Sequence, residues 1–281
     1  KNEVFIFSSE VKGITNFPNF KREINYSALY SYLCLRYTTN TKLNFFKNIS
    51  RVKPGYYYEI NINNSNIKET CYWAIPEISN SGNKKESYYL EKLDFLLNKC
   101  IKSQMISDVP IGVFLSGGLD SSLISSIANK HSKNTINTFS VRFDEAGYDE
   151  SDKTELMKNY LKTNHHNVTI TKKDFFNNFE NIIKIKEAPV SIPHEYPLYE
   201  LTKYMKDKVK VVLSGEGADE LFGGYSRVQK SPFDYVKGNY LSSYSNINFF
   251  KRIFSLDKDF NFKDSNFKSY FLSRYKWFSQ Y

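Results

Sequence analysis

Cysteine is scarce in this 281-residue sequence, and no long apolar run occurs. Each shortage closes off a class of protein. Cys34, Cys71 and Cys100 are odd in number, far apart and without a Cys-x-x-Cys, which excludes a disulfide framework and a zinc ribbon. They are expected to be buried, reduced thiols of a cytoplasmic protein. No stretch reaches the roughly 18 apolar residues that a membrane span requires, so no membrane partner is expected. The opening Lys1 to Glu10 is too short in apolar residues for a signal peptide. It reads as a strand, Val4-Phe5-Ile6-Phe7, arriving without an initiator Met, and the chain is expected to start inside a longer protein. Long basic runs are missing too: the formal net charge is +9, but the runs are only pairs such as Lys84-Lys85 and Lys172-Lys173. That pattern describes a solvated surface rather than a nucleic-acid interface, and an anionic substrate suits it equally. His165 and His166 are adjacent, so an extended backbone sends them to opposite faces and they read as structural rather than as a metal pair.

What is present is ordinary in bulk, with 41% hydrophobic and 25% charged residues, enough for one large domain or two smaller ones. The 17% aromatic share, with plentiful Asn and Lys, fits the codon bias of a genome rich in A and T. Along the chain, residues 3–8 read as a strand followed by a turn through Lys12-Gly13. Residues 25–36 form a helical pattern behind Asn25 as N-cap. The Pro54-Gly55 turn precedes two strands, 56–60 and 67–73, so the first 78 residues read as mostly β. Ser79-Asn80-Ser81-Gly82-Asn83 is the linker candidate. Beyond it the pattern alternates: helix 85–105 on Tyr89, Leu93, Leu96, Leu97 and Cys100, strand 111–115, helix 119–130, strand 136–143, helix 150–163, strand 166–171, helices 173–186 and 195–207, and strand 209–213. Buried strands alternating with helices imply an α/β fold, a parallel sheet covered on both faces. After about residue 230 a Phe-, Tyr-, Lys- and Asn-rich stretch is expected to be helical.

Two loops carry the chemistry. Ser116-Gly117-Gly118-Leu119-Asp120-Ser121-Ser122 leaves a short apolar strand and enters a helix. Its glycines let backbone approach a ligand, its amides and the helix N-terminus form an anion nest, and the serines add hydroxyls. An acid beside a phosphate nest calls for a cation between them, and magnesium on Asp120 supplies it. No Gly-Lys-Ser/Thr follows, so γ-phosphate chemistry of the Walker type is not implied. The second loop, Ser214-Gly215-Glu216-Gly217-Ala218-Asp219-Glu220-Leu221-Phe222-Gly223-Gly224-Tyr225, also leaves an apolar strand. It puts three acids within five residues, and a helical turn beginning near Ala218 lets Glu216 and Asp219 face one site.

The two loops together, with Ser107 to Leu115, Thr138-Phe139-Ser140-Val141 and Tyr148-Asp149-Glu150-Ser151 between them, resemble the synthetase domain of glutamine-dependent asparagine synthetases. Upstream, Ser8 to Gly13, Pro54-Gly55 and Tyr72-Trp73 resemble the tail of that family's glutaminase domain. The resemblance implies a sheet of the PP-loop ATP-pyrophosphatase kind in residues 81–281, with its C-terminal end missing. It further implies that residues 1–80 are the remnant of an N-terminal nucleophile glutaminase domain. Leu115, Val141, Ser214 and Gly215 would then contact adenosine. Ser116, Gly117, Gly118, Asp120, Ser121 and Ser122 would hold pyrophosphate and magnesium, with Asp219 as a second metal or acceptor contact and Glu216 as general base. The implied partners are ATP, Mg2+, aspartate or another carboxylate acceptor, and ammonia from glutamine supplied by the missing glutaminase half; a second copy in a homodimer is a further candidate. The family's lysine for the adenylation step is expected beyond Tyr281. Pro189 to Tyr199 departs from the housekeeping form and, with Tyr270 to Ser279, is similar to a branch that amidates sugar carboxylates. A tRNA-modifying ATP pyrophosphatase and a non-catalytic nucleotide-binding module are the readings of other classes.

Overall fold

The computed structural model describes residues 4–38, 40–64, 66–77, 84–144, 151–192 and 194–226, with 229, 230, 232, 233, 235 and 236 beyond. The linker candidate 79–83, the Tyr148-Asp149-Glu150 motif and the Tyr270 to Ser279 run therefore lie outside the described residues. The chain divides into two compact units, residues 1–29 with 38–215, and residues 30–37 with 216–281.

In the first unit the chain opens irregularly. Val4, Phe5 and Phe7 are exposed and no strand forms, because no neighbouring strand among the described residues offers them a ladder. Lys12-Gly13, expected as a turn, sits inside helix α1 (Val11–Thr15). Helix α2 (Tyr26–Leu35), which passes from the first unit into the second at Tyr30, starts where expected: Asn25 Oδ1 accepts from the amides of Ser27 and Ala28 at 3.1 and 3.3 Å. Strands β1 (Tyr56–Ile60) and β2 (Ile67–Cys71) pair antiparallel, with Tyr56 opposite Cys71, beyond the Pro54-Gly55 turn.

The rest of this unit is an α/β sheet. Helix α3 (Glu86–Gln104) leads to β3 (Ile111–Phe114), α4 (Leu119–His131), β4 (Asn137–Phe143), α5 (Ser151–Leu161) and β5 (Asn164–Ile170). Then follow α6 (Lys172–Lys186), α7 (Glu195–Met205) and β6 (Val211–Leu213). The four strands are parallel in the order β5-β4-β3-β6. Alternation along each strand fills two cores. Val113 and Leu213 pack with Ile101, Ile127, Ala128 and Ile136 on one face, under α3 and α4. Phe114, Phe139, Val141 and Val212 pack with Leu201, Met205 and Val209 on the other, under α7. The α3 seam runs through Leu97, Ile101 and Met105. Tyr89, Leu96 and Cys100 fall outside it and are exposed, as is Cys71. The expectation of buried thiols thus fails, since Cys71 and Cys100 are exposed and Cys34 is only half-buried, although all three are free. No helix among the described residues is long and apolar enough to cross a membrane.

The histidine pair splits as its spacing requires. His166, paired with Phe139 in register, stacks on that ring at 5.1 Å on the α7 face. His165 turns the other way, where its Nδ1 lies 2.9 Å from Thr138 Oγ1 and its Nε2 lies 3.1 Å from Ser140 Oγ. Burial, the largest cause, holds both imidazoles below their ordinary pKa of 6.5. Below that value the unfolded chain takes up protons that the folded chain resists, so stability is full above pH 6.5 and falls as pH drops toward the depressed folded values. Urea unfolding at pH 7.5 and 5.5 is expected to show this loss, and His165→Asn is expected to flatten it. An unchanged pH slope in that variant would remove His165 from the account.

Candidate functional site at the ends of β3 and β6

The strand order locates a crevice. The chain runs β3, β4, β5 outward in one direction, then returns to lay β6 on the other side of β3. Between β3 and β6 the winding reverses, and open parallel sheets take their ligands beyond the carboxyl ends of strands at such a point. Both Ser-Gly loops leave the sheet there. Val113 and Leu213 are register partners, and Ser116 and Ser214 follow them by a few residues.

The first loop is held from inside and behind. Leu115 is fully buried and its amide donates to Phe139 O at 2.9 Å, so its side chain belongs to the core and only its backbone is left to meet a ligand. Ser121 Oγ accepts from Ser116 N at 3.2 Å and lies 2.9 Å from Ser116 Oγ, while Gly118 N donates to Ser116 Oγ at 3.3 Å. These bonds close the loop into a small ring of serines. Gly117 has φ +77°, and a Cβ there would lie 2.6 Å from Lys153 Cβ and 2.8 Å from Thr154 N. The loop is thus wedged against the first turn of α5, and any side chain at 117 is refused twice, by backbone conformation and by space. This backing by Lys153 and Thr154 carries no signal in the sequence, since it joins residues on separate elements. Helix α4 begins at Gly118 without a side-chain cap, so the amides of its first turn are offered to an outside acceptor. Asp120 stands in that first turn, where the helix dipole favours a carboxylate.

Gly215 brings the second loop against the first. A Cβ there would lie 3.1 Å from Asp120 Cβ and 3.2 Å from Ser121 N. Gly215 therefore adjoins the Asp120–Ser121 turn directly. Val141, two residues beyond Phe139 on β4, is half-buried at the α7 face. Among the described residues no three His, Cys, Asp or Glu side chains gather as a ready metal cage. The donors beside the loop are one carboxylate and the hydroxyls of Ser116, Ser121 and Ser122. Hard oxygen donors of this kind fit magnesium, which takes one or two carboxylates and completes its shell with substrate phosphate and water.

Glu216 and Asp219 belong to the second unit, where helix α8 (Ala218–Phe222) starts at the expected residue. The three acids of that turn are not equivalent. Tyr225 donates its hydroxyl to Glu220 Oε1 at 2.7 Å. This bond holds the Glu220 carboxyl below its ordinary pKa and is the main reason the Tyr225 phenol is pushed up to about 12. Glu220 is thereby committed to structure. Gly224 donates its amide to Asp219 O at 3.0 Å, and a Cβ at 224 would fall 1.8 Å from Asp219 Oδ1. The absent side chain at 224 leaves the Asp219 carboxylate its place.

Comparison with known proteins agrees with these two loops. Residues 92–274, more than half of the chain, match the asparagine synthase family, and residues 1–73 match the glutamine amidotransferase domain. A protein of Methanocaldococcus jannaschii, provisionally named glutamine-hydrolyzing asparagine synthetase 2, is 34% identical over 224 residues, 79% of this chain and 43% of the relative. Asparagine synthetase 1 (glutamine-hydrolyzing) of Bacillus subtilis is 32% identical over 225 residues, 80% of this chain and 35% of its own length. The chain thus spans less than half the length of the curated relatives it matches. Among solved structures, the NH3-dependent NAD synthetase of Campylobacter jejuni overlaps 48% of this chain and 60% of its own at TM-score 0.36 and 16% identity, too distant to add to the fold. On the match across both loops and the sheet between them, the chain belongs to the asparagine synthase family.

Proposed function

We propose that this chain is the ATP-cleaving part of a glutamine-dependent amidotransferase, which activates a carboxylate as its acyl-adenylate and converts it to an amide. The observation that carries the proposal is the approach of Gly215 to the Asp120–Ser121 turn, which joins two Ser-Gly strand ends at the reversal of the sheet. In this reading the backbone at Leu115 and Gly215, with Ser214 and Val141, borders adenosine. Ser116, Gly117, Gly118, Ser121 and Ser122 cradle the pyrophosphate, and Asp120 and Asp219 would hold magnesium, which neutralises phosphate charge when bound. An oxygen of the acceptor carboxylate attacks the α-phosphorus. The bond from that phosphorus to the β-bridging oxygen breaks, and pyrophosphate leaves. Positioning and charge neutralisation supply most of the rate in such a step. Ammonia then attacks the acyl carbon, the bond to AMP breaks, and Glu216 takes the surplus proton from nitrogen. Aspartate is the proposed acceptor and glutamine the proposed nitrogen source in the intact, cytoplasmic protein.

Exchange of labelled pyrophosphate into ATP separates the acceptors. Exchange that depends on aspartate is expected; exchange that depends only on a sugar uronate would move the function to polysaccharide amidation, and none with either would end the proposal. Asp120→Asn in the intact protein is expected to lower that exchange by roughly 10²–10³-fold, the usual cost of losing one preorganised electrostatic contact. Near-normal exchange would remove Asp120 from the site. Glu216→Gln is expected to keep the exchange while amide formation falls by about 10²–10⁴-fold, the range for a lost general base. Wild-type amide yield in that variant would contradict the role. Gly224→Ala tests the Asp219 position: the added methyl displaces that carboxylate, so exchange is expected to drop while the melting temperature holds, and full exchange would show that Asp219 is dispensable.

A further inference from the structure

Glu187 occupies a place that suits a carboxylate badly. It caps the C-terminus of α6 in a left-handed conformation, φ 48° and ψ 36°, where glycine or asparagine is the usual residue. A negative charge there also faces the negative end of the helix dipole. Its side chain is only 11% exposed, so it gives up most of its water as well. Backbone strain of this kind persists where surrounding contacts over-determine it.

Those contacts come from the far end of the chain. Thr15, itself 5% exposed at the end of α1, places its hydroxyl 2.8 Å from both Glu187 carboxylate oxygens, and the two residues are 172 positions apart. Arg22 Nη2 lies 3.4 Å from Glu187 Oε1 and donates to Thr15 Oγ1 at 3.4 Å and to Asn16 Oδ1 at 3.2 Å. Thr15 thus relays between the guanidinium and the carboxylate. Arg22 is anchored in turn, because its neighbour Glu23 accepts the Lys47 amide at 2.8 Å and Asn25 N donates to Phe45 O at 2.8 Å. The adjacent Lys186 reaches the other way, to Pro189 O at 3.2 Å and to the Glu195 carboxylate, which also accepts the Ser191 amide at 3.1 Å. Two consecutive residues therefore tie Pro189 and the start of α7 to the end of α6, and the same corner to residues 15–22.

We infer that Glu187 is a clasp between the segment matching the glutamine amidotransferase domain and the synthase sheet, and that this clasp couples glutamine-derived nitrogen to amide formation. The coupling half of this inference rests on the proposed function; the clasp itself does not. Glu187→Gly in the full-length protein removes the carboxylate and relieves the left-handed backbone, so folding is spared, and Glu187→Gln removes only the charge. Both variants are expected to speed hydrogen exchange of the amides in 11–23 by about tenfold, the effect of uncoupling one buried ionic network. Pyrophosphate exchange is expected to stay within about twofold, while glutamine-supported amide formation falls about tenfold against ammonia-supported formation, the readout a purely structural role leaves unmoved. Unchanged protection of 11–23 in both variants would overturn the clasp. Faster exchange with an unchanged glutamine-to-ammonia ratio would overturn the coupling role. A wild-type protein without pyrophosphate exchange would refute the proposed function, with the hydrogen-exchange result still deciding the clasp.

Discussion

The structure turns on one close approach, the backbone of Gly215 against the Asp120–Ser121 turn. That approach needs β6 beside β3, and β6 reaches β3 only because the chain reverses its winding after β5. The cores on the two faces hold this order, with Val113 and Leu213 filling one side and Phe114 and Val212 the other. A side chain at 215 would press directly on the Asp120–Ser121 turn, and one at 117 would push the loop off α5. The site is thus built from missing side chains as much as from present ones.

At that approach and, separately, in the second unit, the polar groups divide by task. Ser116 and Ser121 bind each other and shape the loop, while the amides of the first turn of α4 remain directed outward. In the second unit Tyr225 takes Glu220, and the proposed chemistry assigns the reactive roles to Glu216 and Asp219. In that proposal the anion nest would answer the phosphates, the carboxylate of Asp120 would answer the cation that phosphates bring, and a separate acid would answer the proton released from nitrogen. Each demand of the proposed adenylation and amide transfer would then have a residue type suited to it.

Much of this was legible in the sequence because the signals are local. The alternation of apolar strands and helices named the parallel sheet, Asn25 named the start of α2, and the two Ser-Gly motifs named the candidate crevice, whose residue roles stay a proposal. His165 and His166 separated as adjacent residues in a strand must. What failed was what depends on partners elsewhere. Val4 to Phe7 has strand composition but no ladder to join among the described residues, and Cys100 fits a helical apolar stripe that the sheet contacts one row away. The Lys153–Thr154 backing of Gly117 and the Thr15–Arg22–Glu187 network join residues far apart in sequence, and no spacing rule reaches that far. The boundary between 1–80 and 81–281, read from composition, stays a proposal; the matched segments are 1–73 and 92–274, whereas the compact units divide at Gly215 and Glu216.

The central claim is attack on the α-phosphorus of ATP by a carboxylate at the β3–β6 crevice. Aspartate carrying oxygen-18 in its side-chain carboxylate, turned over by the intact protein with ATP and ammonia, tests it in one mass spectrum. The account predicts that one labelled oxygen appears in AMP, with unlabelled pyrophosphate. Label in inorganic phosphate alongside ADP, or AMP without label, would contradict it.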